Sequence, residues 1–289
     1  MPRGKAGAEP VSGQSRNHAG ARRSRAGEDP GRAGTEPRGG ERLTDPVSLG
    51  TIAGMSPGPV RIPRKRLLRR VLPATAAGAF FIHVAFFLLL APFILLLRWW
   101  SPPVNSLMLR RALLSRDRIQ AQLYVPLSRL PASVPKMFIH LEDRGFYAHG
   151  GIDFAAMKTA HRRNRQAGRL AYGGSTITQQ LARTLFLAPD KNYLRKYLEA
   201  LVSVEMELLL SKDRILELYV NHIEWGKGVF GIGRAARVYY KKDAEKLSID
   251  QFRRLAAVIP SPRRFTVKNL ERHLGLRQRY LYLVQAFSG

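Results

Sequence analysis

The sequence predicts a mainly α-helical domain carried behind one N-terminal transmembrane helix. Three observations predict it. Between Val71 and Leu97 no residue bears a formal charge, and Phe, Leu, Ile, Val and Ala dominate. At a rise of 1.5 Å per residue such a run crosses a hydrocarbon core of roughly 30 Å. From Lys136 onward, apolar residues recur at steps of three and four, the period of a helix with one buried face. No hairpin signal and no internal repeat competes with that reading.

The bulk composition limits partners more than it limits fold. The 289 residues carry a formal net charge of +27 and no cysteine. Disulfides and thiolate metal sites are therefore excluded, while the compartment stays open. From Arg110 to the end there are 32 Lys and Arg against 15 Asp and Glu. That excess favours polyanions: nucleic acid, anionic lipid headgroups or pyrophosphate.

Taken in order, residues 1–60 hold 12 of the 25 glycines, many Pro, Ser and Arg, and almost no large apolar side chain. A disordered basic tail is expected, because so little apolar surface cannot offset the entropy of ordering. Residues 61–100 form the anchor. Arg61, Arg64, Lys65, Arg66, Arg69 and Arg70 precede the apolar run, and Trp99 and Trp100 follow it where interfacial aromatics belong. Pro92 is a candidate kink and His83 a tolerated polar group. The run is too long for a signal-peptide core and lacks a clear cleavage site, so an uncleaved single-pass anchor is expected. Lys and Arg are denser before the span than after it, which places the N-terminus in the cytoplasm and everything beyond Trp100 outside. A nucleic-acid partner is then a poor fit.

Residues 101–135, with five prolines, read as a linker and membrane-proximal segment. Within it, Leu107–Leu114 is basic and amphipathic, suited either to the membrane surface or to a protein core. Residues 136–289 form the main domain. A helix is expected over Tyr193–Val220, with Lys212–Asn221 continuing in the same style. Another runs over Leu247–Ile259, opened by Ser248 and closed before Pro260. A last helix covers Leu270–Ala286.

Three segments carry candidate chemistry. Glu142 and Asp143 sit among Phe138, Ile139, Leu141 and Phe146, a setting that suits an acid or base; a helix cap or a pair with Arg144 is the structural alternative. His149-Gly150-Gly151 then allows a tight turn. Gly173-Gly174-Ser175-Thr176 leads into Ile177-Thr178-Gln179-Gln180, a flexible loop opening a helix. Its backbone N–H groups, hydroxyls and amides suit a phosphate or a sugar, though a plain loop and N-cap would look similar. No Gly-Lys-Ser/Thr follows, so this is not a nucleotide-binding P-loop. Arg195 and Glu199 share one helix face. They make either a surface ion pair or a second carboxylate set among Arg183, Lys191, Arg195 and Lys196. Such cations would stabilise a diphosphate leaving group, with Glu199 orienting them or holding a divalent ion.

Together these segments resemble the glycosyltransferase family 51 peptidoglycan polymerases, especially the monofunctional membrane-anchored transglycosylases. The resemblance covers about Tyr124 to Pro262. It rests on Glu142-Asp143 with Phe146 and His149-Gly150; Gly173 to Leu181; Arg195-Lys196 with Glu199; Lys212, Ile215-Leu216-Glu217, Tyr219 and Asn221; and Glu224-Trp225-Gly226 leading to Gly231, Ala235-Ala236 and Tyr239-Tyr240. It implies a lysozyme-like glycosyltransferase domain that uses lipid II as acceptor and an elongating lipid-linked glycan as donor. Glu142 would deprotonate the acceptor 4-hydroxyl in an inverting displacement of lipid pyrophosphate, and Glu199 is the second family carboxylate. Asp143, His149, Ser175, Thr176, Gln179, Gln180, Arg183, Lys191, Arg195 and Lys196 would bind substrate, with Arg277 or Arg279 as a further phosphate contact. No cofactor is required, although a Mg or Mn ion fits the scheme. The implied setting is the bacterial inner membrane with the catalytic domain periplasmic, and cell-division or elongation proteins as partners. Arg183-Thr184 stands where the family usually reads Lys-Asn, and Gly233-Arg234 where it commonly has Glu-Ala. No penicillin-binding domain is expected after Gly289. A lytic transglycosylase or muramidase on the same fold, and an inactive scaffold that binds lipid II, are the rival readings.

Overall fold

The computed structural model describes residues 64–169, 172–187 and 192–287, with backbone alone over most of the first turns from Arg64. The tail expected over 1–60 and Lys191 lie outside these residues.

The first helix, α1 (Arg64–Leu96), contains the apolar span Thr75–Leu96, of mean hydropathy 2.6. It runs through Pro73 and Pro92 without interruption. One stripe of its C-terminal half, Phe86, Leu90, Ile94 and Leu97, joins the protein core. Phe81, Ile82, Leu88, Leu89 and Phe93 remain exposed on other faces, as lipid-facing side chains would be. The stripe packs along α6 (Tyr193–Leu209). There His83 is hydrogen-bonded to the Tyr197 hydroxyl, which is why a polar ring is accommodated within an apolar span. Where α1 ends, Arg214 takes up the loose carbonyls: Nε donates to Leu97 O at 2.7 Å and Nη2 to Trp100 O at 3.1 Å.

The segment expected to be a linker is part of the body. Asn105 caps α2 (Ser106–Leu114), accepting from Met108 N at 2.8 Å. Met108 is buried and α2 packs on α5 (Ile177–Phe186), so the core-facing alternative holds there, while Leu109, Leu113 and Leu114 stay exposed. Val125 and Leu130 also enter the core. Asn221 clamps Val125 through both of its backbone groups, at 2.9 Å each.

The remaining helices are α3 (Ser133–Glu142), α4 (Phe154–Gln166), α7 (Lys212–His222), α8 (Ile232–Tyr240), α9 (Ile249–Val258) and α10 (Leu274–Ala286). Helix α5 is central, packed by α6 and α7, and α9 lies between α3 and α10. The long helix expected over Tyr193–Val220 is two helices. Its break falls at Leu210, and Ser211 caps α7 by accepting from Arg214 N. Ser248 caps α9 as expected, in a reciprocal capping box with Gln251. A hairpin that was not expected, β1 (Glu224–Gly226) and β2 (Val229–Phe230), pairs antiparallel with Glu224 opposite Phe230. Its strands are too short to carry an alternating pattern. Its turn depends on Gly228, whose φ of +69° only glycine adopts readily and where a Cβ would strike Arg118 O.

Candidate active site

Glu142 is the last residue of α3, and the chain turns sharply at Asp143 (φ −160°, ψ 80°). Its carboxylate therefore projects into a cleft of about 740 Å³ bounded by the α3 end, α4, the Gly173–Thr176 loop and α10. The apolar neighbours seen in sequence do not surround it. Arg279 of α10 ion-pairs with Oε1, and Gln180 Nε2 donates to Oε2 at 3.2 Å. Phe138, Ile139 and Phe146 instead point into the core. Gln180 is itself held from behind, where the buried Tyr219 hydroxyl donates to its Oε1 at 3.2 Å. Burial, and then the nearby Glu142 charge, push the Tyr219 hydroxyl well above the usual phenol range, so it stays a donor.

Asp143 faces the other way and is buried. Its Oδ2 accepts from Ile177 N at 2.9 Å, at the positive end of α5, and both oxygens lie 3.0 Å from His149 Nε2. Asp143 and His149 thus fix the turn that follows Glu142 against the helix that carries the glutamines. The same loop needs Gly151, at φ +89°, because a Cβ there would press on Ser203 O.

The Gly-led loop is joined to α5 by a capping box. Thr176 accepts from Gln179 N, and Gln179 Oε1 accepts from Thr176 N at 3.2 Å. Thr176 also donates to Gly151 O at 2.6 Å. Gln179 is buried and meets the site through Lys196, whose Nζ donates to its Oε1 at 3.3 Å. Ser175 lines the cleft and accepts from Lys196 Nζ at 2.9 Å. Lys196 and Arg195 both bind Glu199, which is wholly buried, so the i,i+4 pair is not a surface decoration. Arg183 is half-buried in the last turn of α5, with no carboxylate partner among the described residues. The structure thus links the three predicted segments: Glu142 to Gln180, Asp143 to α5, and Ser175 to the Lys196–Glu199 pair.

Both oxygens of Glu199 are occupied by cations, so a divalent ion does not fit there. Among the described residues no group of three or more acidic or His side chains is arranged for one.

Sequence reasoning missed the parts that reach Glu142 from afar. Arg279 was named only as a phosphate contact; it lies 137 residues from Glu142, and no spacing signals the pair. Tyr219 read as one more apolar position of an amphipathic helix. Arg163 of α4, stacked 5.6 Å from the Tyr172 ring at the cleft wall, had no signal beyond its charge.

A helical body packed on an apolar helix long enough to cross a membrane, with a carboxylate in an open cleft that Ser175 joins to the Arg195–Lys196–Glu199 cluster, has the parts of a membrane-anchored enzyme. The transglycosylase family model matches residues 110–285, and the chain belongs to that family, whose fold is lysozyme-like. The chain is 40% identical over 200 residues to the biosynthetic peptidoglycan transglycosylase of Thiobacillus denitrificans, covering 66% of this chain and 84% of that one. It is 38% identical over 214 residues to the protein of that name from Dechloromonas aromatica, covering 73% and 93%. Over 192 residues it is 40% identical to the one from Herminiimonas arsenicoxydans, covering 64% and 83%.

Proposed function

We propose that this chain polymerises lipid II into glycan strands, with Glu142 as the base. Peptidoglycan glycosyltransferase activity agrees with the family and with the names of its relatives. The observation that carries the residue assignment is the placement of Glu142. It is a cleft-facing carboxylate held by Arg279 and Gln180.

In this reading the 4-hydroxyl of the acceptor sugar donates to Glu142, which takes its proton as the oxygen attacks the donor anomeric carbon. The new C–O bond forms as the bond to the pyrophosphate oxygen breaks, in one displacement with inversion. Negative charge grows on the departing diphosphate. Lys196 and Arg195 supply fixed positive charge on that side, and Glu199 holds both in place before substrate arrives. Ser175, hydrogen-bonded to Lys196, connects the cleft to that cluster. The basic residues ahead of the span support a cytoplasmic N-terminus and a domain on the outer face, where lipid-linked donors need no nucleotide. A glycan-cleaving enzyme would have no use for these cations.

The test is polymerisation of purified lipid II by the detergent-solubilised full chain, resolved on a gel beside Glu142→Gln. A glycan ladder from the parent and none from the variant is expected. Equal ladders would remove Glu142 from the role of base, and shortening of preformed glycan would replace the polymerase reading with a lytic one.

A further inference from the structure

A second large cavity, of about 730 Å³, lies outside the catalytic cleft. Arg116, Arg118, Lys227 and Arg234 line it. The one acid at its wall, Asp117, is committed to Arg263. Arg116, Arg118 and Lys227 make no salt bridge among the described residues, although Asp117 also feels the Lys227 charge. Four cations round one space repel one another unless an anion shares it.

The cavity is built rather than incidental. Segment 116–121 is fixed to the β1–β2 turn by Gln120 N, which donates to Gly228 O at 2.9 Å, and to α8 by Arg234 Nε, which donates to Ala121 O at 2.6 Å. Just beyond that segment, Gly233 lets the chain approach α8, since a Cβ there would strike Leu123 O. The Gly233-Arg234 pair thus has a structural use. Its glycine admits Leu123, and its arginine both ties the segment down and lines the cavity. Arg116 sits in the left-handed region at φ 51°, a strained setting for a non-glycine residue of the kind that collects at functional sites.

The position of the cavity selects its occupant. Ala121 lines it, and the next residue, Gln122, lines a smaller pocket of about 360 Å³ together with Trp99 and Trp100. Consecutive Cα atoms are about 3.8 Å apart, so the wall of the cationic cavity continues into that of the pocket lined by the two tryptophans.

We propose that Arg116, Arg118, Lys227 and Arg234 dock the phosphodiester headgroup of an anionic phospholipid from the leaflet that holds Trp99 and Trp100. The proposal rests on the reading that α1 spans the membrane. Headgroup binding at this cavity would hold the domain against the bilayer at a point separate from its anchor.

The test uses the full chain in neutral detergent, titrated with phosphatidylglycerol, phosphatidylcholine or inorganic pyrophosphate, with bound ligand counted by native mass spectrometry. Saturable binding of phosphatidylglycerol over phosphatidylcholine is expected. Arg118→Gln/Lys227→Gln, whose side chains make no described hydrogen bond, should weaken it by roughly tenfold or more, since each basic residue at a membrane surface contributes on the order of fivefold. Lipid II turnover in the same detergent should be unchanged. Phosphatidylglycerol binding equal in both proteins would overturn the site. Pyrophosphate binding that is tighter than phosphatidylglycerol and lost in the double variant would overturn the membrane source. Co-flotation with pure phosphatidylcholine vesicles reports the anchor alone; its failure would sink the reading of α1 and with it the membrane source of the headgroup, whereas loss of phosphatidylglycerol selectivity with co-flotation intact would sink the cavity site alone.

Discussion

Arg279, on the last helix of the chain, is ion-paired with Glu142 at the end of α3. The pair closes the cleft from the α10 side and gives the carboxylate one fixed direction, while Gln180 gives it a second. Arg279→Gln should therefore leave Glu142 chemically intact but loosely aimed. Misplacement of a catalytic group by about 1 Å costs on the order of a hundredfold in rate. The initial rate of lipid II consumption checks this. Arg279→Lys should recover part of the loss, because lysine supplies the charge without the planar fork. A wild-type rate in Arg279→Gln would show that the pair is only structural.

Tyr219→Phe removes a single hydroxyl from a fully buried ring. Losing its hydrogen bond to Gln180 should cost about 1 kcal/mol of stability. It should also slow polymerisation several-fold, because Gln180 is then free to present either end of its amide to Glu142. Since the Tyr219 proton is held well above the usual phenol range, the ratio of variant to parent rate should be flat across neutral pH. A ratio that changes steeply there would contradict the role given to the hydroxyl.

Glu199→Gln leaves Arg195 and Lys196 without their shared counter-charge next to a fully buried side chain. Losing charge-assisted hydrogen bonds of this kind typically costs about 1.5–3 kcal/mol. Thermal unfolding should show this loss, and turnover should fall with it as the two cations lose their common position. Unchanged melting with lost turnover would assign Glu199 a direct part in the chemistry instead.

Two buried groups elsewhere oppose each other in their response to pH. Glu205 on α6 has neither carboxylate oxygen hydrogen-bonded, and burial pushes it up to about 7. The unfolded chain loses this proton near the ordinary value of 4.5 while the folded chain keeps it, so this group makes stability fall as pH rises from about 4.5 to about 7. His222, buried beside Ser101 and Asn105, is pushed down to about 4 by burial and then by Arg214. It makes stability fall as pH drops from 6.5 towards 4. In the parent the two slopes partly cancel. Glu205→Met should stabilise the protein at pH 8 by on the order of 1–3 kcal/mol and expose the His222 slope. His222→Asn should expose the reverse slope. Unfolding midpoints of all three proteins against pH decide the matter.

The anchor, the helical class and the segment order were legible because each depends on local pattern: an uncharged run, a 3.6-residue period, Ser248 ahead of an apolar face. Ser175 stood out in a polar, Gly-led loop and Glu199 with Lys196 in a cluster of cations, whereas the apolar company that singled out Glu142 in sequence is not what surrounds it. What escaped was long-range. The break at Leu210–Ser211 falls between two stretches of the same helical period, and the cap signal of Ser211 with Asp213 was passed over. Gln179 and Gln180 look alike in sequence, yet one turns inward to its own cap and the other outward to Glu142. Neighbours in the chain likewise parted at Glu142 and Asp143, where a single turn of the backbone sends one carboxylate to the cleft and the other to a helix end.

Arg214 gives the anchor a further meaning. By closing the carbonyl end of α1 while α6 lies along its stripe, it makes the membrane helix a rigid mast rather than a tether. With α1 in a bilayer, as proposed, the height of the cleft above the lipid would be set by the fold and not by a linker. A lipid-tailed substrate would then bring its own slack, and growth of a strand would be the travel of a flexible product past a fixed gauge.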